Sequence, residues 1–265
     1  MKKHQRPYYL FSKIAAPKAI GLLITSFFIG SWALAQTSST AHHTTSPRSI
    51  KITTEYLFPL NMIENGSSMV YGQSADKVHE LFKRGKIAYE IKIMSWNRAI
   101  ELAKQNQDTC VFSTAKIKER EDWFHWIGPI ATGNWSIFGH PSKLGKVNRL
   151  EEIKQETIGT EVGNVSVAYL AERGHQVVTS NESTTTFKNL ALGRIDYAAA
   201  GDSHGAKIIA DNQLQDKVVK LFNFNSSDYY LACNKHMDTA TISLLNSKLK
   251  EMKTDGSFRA IDAKY

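Results

Sequence analysis

This chain of 265 residues is poor in the patterns that carry covalent chemistry. It contains no Gly-x-Ser-x-Gly, no His-Glu-x-x-His, no phosphate-binding loop and no Gly-x-Gly-x-x-Gly. The hydrolase, zinc-peptidase, nucleotide and dinucleotide readings that rest on those motifs fall away with them. Ser203 and His204 follow Asp202, the three residue types of a hydrolytic triad, but adjacency in sequence does not give triad geometry. Nine histidines are scattered without ligand spacing, so neither a metal site nor a cofactor is expected. There is no internal repeat. An excess of one charge is missing too, once the N-terminus is set apart. The whole chain is +8, but residues 1–35 hold Lys2, Lys3, Arg6, Lys13 and Lys18 and no acid, and the rest carries 28 Lys+Arg against 25 Asp+Glu. So balanced a surface gives no basis for a nucleic-acid partner.

Residues 1–35 read as a cleaved export signal. A basic start is followed by an apolar run from Ala19 to Trp32, and Ala33-Leu34-Ala35 precedes Gln36. The run falls short of the roughly 20 residues a spanning helix needs. No lipobox cysteine follows it, which argues against a lipoprotein. The expectation is cleavage after Ala35 and a periplasmic protein; an uncleaved anchor is the alternative. Residues 36–49, rich in Thr, Ser and His, read as a flexible mature N-terminus. His42 and His43 lie in that polar tail. The two cysteines, Cys110 and Cys233, sit in strand-like apolar runs and, after export, in an oxidising compartment. A disulfide and a pair of buried thiols both fit.

Apolar periodicity alternates between two and three-to-four, the pattern of an α/β fold. Strands are expected over 51–57, 89–94, 109–113, 157–160, 175–179, 195–199, 217–222 and 229–233, with 135–140 as an extended crossover. Helices are expected over 74–83, 95–105, 166–172, 183–192, 202–210, 240–252 and 257–261. Two segments stand out. Cys110 to Ser113 is a short apolar strand leading to Arg120, and Ile195 to Ala199 is another, leading to Asp202. If the two ends face each other, a guanidinium and a carboxylate define a dipolar cleft suited to a small zwitterion.

The order of these segments resembles the type 2 periplasmic solute-binding proteins, in particular the polar-amino-acid family, family 3. The resemblance rests on the strand Ile50–Tyr56 with Pro59, Gly72-x-x-x-Asp76, Trp96-x-x-Ala99, Glu119-Arg120, Gly128-Pro129 and Gly193-Arg-Ile-Asp196, and covers about residues 50–264. It implies two α/β lobes joined by two crossing strands, with the second lobe inserted in the first: lobe 1 as 50–138 with 229–265, lobe 2 as 139–228. It implies capture of a small polar solute, an amino acid or related carboxylate, by lobe closure. The partner would be an inner-membrane ABC permease, and the protein a monomer without enzymatic activity. A sensory protein uncoupled from transport and a dehydratase-like enzyme on the same scaffold are the alternatives; Glu55, Glu161 or His204 would supply the enzyme's acid or base. In the resembled fold the strands of Cys110 and Cys233 are antiparallel neighbours.

The same resemblance assigns ligand roles to single residues, and each has a plainer reading. Arg120 would clamp a carboxylate, or pair with Glu119 or Glu121 on a solvated surface. Ser113 and Thr114 would offer hydroxyls, or only turn a strand end. Asn164, Val165 and Ser166 would present helix N–H groups to the carboxylate, or Asn164 would simply cap the helix. Asp202 would accept the amine, or serve as an N-cap. Apart from the resemblance, the aromatic faces of Tyr56, Phe58 and Trp96 make them candidate walls for the ligand side chain, or they pack in the core. The family usually has Thr three residues before the arginine; here the residue is Ile117.

Overall fold

The computed structural model describes residues 49–265. The export signal, its cleavage site and the histidines of the tail lie outside the described residues. β1 (Ile50–Thr54) leads by way of a short antiparallel ribbon, β2 (Met62–Ile63) and β3 (Val70–Tyr71), into α1 (Gln73–Gly85). β4 (Tyr89–Ile93), α2 (Trp96–Gln105) and β5 (Thr109–Ala115) follow, and β4 and β5 pair in parallel on either side of β1. The ribbon was not foreseen, since two residues are too few to show a period. α1 buries Ala75, Val78, Leu81 and Phe82, the face that its three-and-four spacing predicts.

A single 3-10 turn, Lys118–Trp123, separates β5 from β6 (Phe124–Gly139). The second half then builds β7 (Thr157–Glu161), α3 (Val165–Ala171), β8 (Gln176–Ser180), α4 (Ser183–Ala191), β9 (Tyr197–Gly201) and α5 (Asp202–Asp211). β10 (Val219–Asn234) returns, and α6 (Thr239–Thr254) and α7 (Ser257–Asp262) end the chain. Eight strands form one sheet in the order β4-β1-β5-β10-β6-β9-β7-β8. The two crossing strands are thus its centre, paired antiparallel with each other from Val219↔Gly139 to Asn234↔Phe124. Sequence periodicity predicts them only in pieces, at 135–140, 217–222 and 229–233. The structure makes each a continuous strand of 16 residues.

Packing divides along the same line. Ile50, Ile52, Phe82, Phe112, Ile127, Leu231 and Leu249 belong to one buried cluster, joined by α2 with Val111 and Phe124 in a second. Phe138, Phe187, Ala198 and Ile208 form a third, and Ile137, Ile158, Leu170 and Tyr197 a fourth. A fifth, of Leu60, Ala115, Ala131 and Tyr229, spans the junction, with Leu57 and Val165 packed against it. Cys110 and Cys233 sit opposite each other on β5 and β10 and are joined by a disulfide. Lys77, 2% exposed, donates to the Ile130 carbonyl at 2.6 Å and pairs with Asp262, so α1 is bolted to both β6 and the chain end.

Gly72 at the head of α1 shows why the Gly-x-x-x-Asp pattern needs its glycine. Its φ is +125°, and a Cβ would stand 2.5 Å from the Leu60 carbonyl oxygen and 2.8 Å from that of Pro59. Those carbonyls accept the N–H groups of Gln73, Ser74 and Ala75, which the helix cannot satisfy itself. Gly72→Ala is expected to lower unfolding stability by about 2 kcal/mol, measured by urea denaturation, from backbone strain and the broken carbonyl cradle.

Candidate functional site

The C-terminal ends of β1, β5, β7 and β9 converge beside the crossing strands, where open α/β sheets place ligands. A cavity of about 50 Å³ lies there. It is lined from the first half by Glu55, Trp96, Ser113 and Arg120, and from the second by Glu161, Asn164, Ser166 and His204. Tyr229 of β10 and Trp135 of β6 close it. The volume is far below the roughly 300 Å³ at which ordinary ligand pockets begin.

Arg120 is only 6% exposed, and its Nη2 donates to the Gly163 carbonyl at 2.8 Å. Trp96 donates its indole N–H to the same oxygen at 2.9 Å, and the guanidinium lies 5.3 Å from the Trp96 ring centre. One carbonyl of the second half is therefore held by two donors of the first. The φ of +73° at Gly163 belongs to the turn that carries this carbonyl. Burial lowers the Arg120 pKa to about 10, against the pull of Glu55 and Glu119. It stays charged at neutral pH.

Two carboxyls line the same cavity as that cation. Glu55 follows β1, and its loop is fixed by Asn61, whose amide donates to Thr54 Oγ1 and to the Glu55 carbonyl, both at 2.9 Å. Ser113 donates its hydroxyl to the Asn61 Oδ1 and has a left-handed φ of +57°, a strained setting for a non-glycine residue. Glu161 ends β7, is 8% exposed, and accepts the Ser183 hydroxyl on Oε2 at 2.8 Å. Burial, then the Glu161 charge, hold the Glu55 carboxyl well above its ordinary range, with Arg120 opposing. Burial also raises Glu161, against its hydrogen bonds to Ser183. His204, pushed down to about 4 by burial, is neutral at pH 7 and accepts the Phe58 N–H on Nδ1 at 3.4 Å. Burial, with Glu55 adding to it, pushes the Tyr229 hydroxyl up to about 12. Among the described residues, no group of three metal-ligating side chains forms.

Of the residues singled out in the sequence, Trp96, Ser113, Arg120, Asn164, Val165 and Ser166 line this cavity. Asn164 caps α3, its Oδ1 accepting from the Ser166 N–H at 2.9 Å and from the Ser166 hydroxyl at 2.8 Å. Thr114 does not line it. The alternation of β5 turns Ser113 and Ala115 to the cavity and Thr114 away, to bond weakly to the Val111 carbonyl at 3.4 Å. Asp202 does not meet Arg120 either. It opens α5 after the N-cap Gly201, and its Oδ2 pairs with Lys220 of β10 at 2.8 Å. It borders a second cavity, shared with Phe58 and His204. Tyr56 stands at a third, outer one with Glu55, Glu161, Glu182 and His204. The carboxyls that share this cavity with Arg120 are thus Glu55, whose charge acts on it, and Glu161, both expected from the sequence only as acids or bases. Their position could be inferred from strand ends, because each terminates a buried strand. Trp135 and Tyr229 had no such signal, since their facing depends on the register of the crossing strands.

Comparison with known proteins bears on the whole described chain. The family model for bacterial extracellular solute-binding proteins, family 3, matches residues 50–265. No curated protein matches the chain. Among solved structures, a histidine kinase sensor domain with similarity to periplasmic binding proteins superposes with a TM-score of 0.74 at 20% identity, covering 82% of this chain and 96% of that one. An ancestral arginine-binding protein bound to arginine gives 0.72 at 20% identity, covering 83% and 99%. The arginine-, lysine-, histidine-binding protein from Geobacillus stearothermophilus gives 0.72 at 15%, covering 82% and 95%. At these identities the likeness is one of fold, two lobes with the second inserted in the first. Fold, crossing strands and family match agree, and the chain belongs to the bacterial extracellular solute-binding proteins, family 3.

Proposed function

We propose that the cleft captures a small amino acid of net positive charge in the periplasm, and that the two lobes, 50–138 with 229–265 and 139–228, close on it. The observation that carries this reading is the charge balance around one cavity: Arg120 against both Glu55 and Glu161, with His204 neutral. A carboxylate fits the guanidinium fork. One ammonium satisfies one glutamate, and a second cation satisfies the other. A neutral zwitterion leaves a buried carboxylate without a partner, which is costly. Solved relatives of similar fold that bind arginine, lysine or histidine support the same choice. Ser113 and the α3 turn at Asn164–Ser166 would complete the carboxylate's hydrogen bonds; Tyr56 and Phe58 would border the entrance.

Delivery to an inner-membrane ABC permease is the consequence we favour. The likeness to a kinase sensor domain supports a second one, reporting the solute to a membrane receptor. The test of binding is thermal unfolding with L-arginine, L-lysine, L-glutamine and L-glutamate. A ligand at 100 times its Kd adds about 2.7 kcal/mol. Basic amino acids are expected to stabilise most. Stabilisation by L-glutamate with none by L-arginine or L-lysine would reverse the charge assignment.

A further inference from the structure

Glu55 and Glu161 come from opposite lobes, yet they line the same inner cavity and the same outer one, where Glu182, Tyr56 and Ser183 join them. Among the described residues the Glu55 side chain accepts no hydrogen bond, and Glu161 is bonded only to Ser183. Two carboxyls from opposite sides of the cavity thus share one space with a single guanidinium, and the Glu161 charge acts on Glu55. Two like charges in such a setting cannot both stay ionised without a counter-charge. We propose that the Glu55–Glu161 pair is a cation seat assembled by lobe closure, filled either by a positive group of the solute or by a proton, so that acid competes with the solute for the closed cleft. This rests on the charge reading above for the solute, but not for the proton.

The groups around the pair keep fixed charge states near neutral pH, while burial raises both of its carboxyls. From the 3-10 turn, Arg120 stays charged, its pKa lowered only to about 10. From α5, His204 is neutral above about 4, and from β10, Tyr229 is neutral below about 12. From the β1 loop, burial raises the Tyr56 hydroxyl above its usual value. Burial raises Glu161, Ser183 at the head of α4 lowers it by donating hydrogen bonds, and the Glu182 charge adds a smaller rise. Both carboxyls stand above their ordinary range in the folded protein. The folded state then holds more protons than the unfolded chain. This contribution to stability is complete below the ordinary carboxylate pKa and is lost as pH rises through the raised values.

The deciding experiment is thermal unfolding of the full chain from pH 5 to 8, for wild type, Glu161→Gln and Glu55→Gln. In wild type the midpoint is expected to fall by about 3 °C or more as pH rises. Both variants should flatten that slope and unfold above wild type at pH 8. A flat wild-type profile, or a slope unchanged in both variants, would overturn the proposal. If neither variant folds, wild-type calorimetry with L-arginine at pH 6, in two buffers of different ionisation heat, decides: proton release on binding supports the shared seat, and binding without release overturns it. Should L-arginine not bind at all while the variants lose the slope, the cation seat stands and the amino-acid reading falls.

Discussion

Arg120→Ala is expected to weaken binding of a basic amino acid at least a hundredfold, read by calorimetric titration at pH 7.5. Truncating one member of a buried, hydrogen-bonded charge pair costs about 2–5 kcal/mol, and a hundredfold is about 2.8 kcal/mol. Three contacts go together: the fork for the solute carboxylate, the 2.8 Å bond to the Gly163 carbonyl and the counter-charge to Glu55. Arg120→Lys keeps the charge but loses the planar fork, so its affinity should fall between those of alanine and wild type. The alanine variant carries a second mark. Arg120 is what opposes the rise of the Glu55 carboxyl. Without it, stability should fall more steeply with rising pH than in wild type. Unchanged affinity in Arg120→Ala would remove this residue from the site.

Loss of the Cys110–Cys233 disulfide is expected to lower unfolding stability by about 4 kcal/mol, within the 2–5 kcal/mol typical of native bridges. The bridge closes a loop with a sequence separation of 123 residues. On the chain-entropy account, loops of about 100 residues give the upper end of that range. Both sulfurs are buried among Ile52, Phe112, Ile127 and Leu231, away from the cavity. Reductant, or the double change Cys110→Ala with Cys233→Ala, should therefore lower the midpoint by about 10 °C and leave solute affinity within about twofold. A midpoint indifferent to reductant would show that the bridge contributes nothing. The consequence is practical: expression in a reducing compartment should yield a weaker protein with an intact cleft.

Much of this architecture was readable in advance. α1 and α2 carry their apolar stripes at helical spacing, and β1, β5, β7 and β9 are short apolar runs between turn residues. The long crossing strands were not readable. β10 passes through Asn223, Asn225, Ser226, Ser227 and Asp228, and β6 through Gly133 and Asn134, all poor strand formers that mimic turns. Pairing between the two strands overrides that local preference, with register shifts at Lys220/Phe222, Asn223/Asn225 and Tyr229/Leu231. The cavity was legible as far as strand ends foretell it. Arg120, Ser113 and Asn164 to Ser166 meet there because each closes or follows a buried strand. Asp202 follows one too, but Lys220 lies within reach on β10 and holds it. No one-dimensional pattern reports a neighbour 18 residues away on a return strand.

The paired crossing strands also limit which motions are open to the lobes. Sliding one lobe past the other would slip β6 along β10, and a slip of one residue would turn every inward side chain outward. That is forbidden by Tyr229, Leu231 and Ile127, which are all buried. Twisting needs no such exchange. The register shifts between Lys220 and Leu231 are irregularities of the kind at which paired strands twist most. In the capture proposed above, closure is a torsion of the two-stranded ribbon rather than a slide along it.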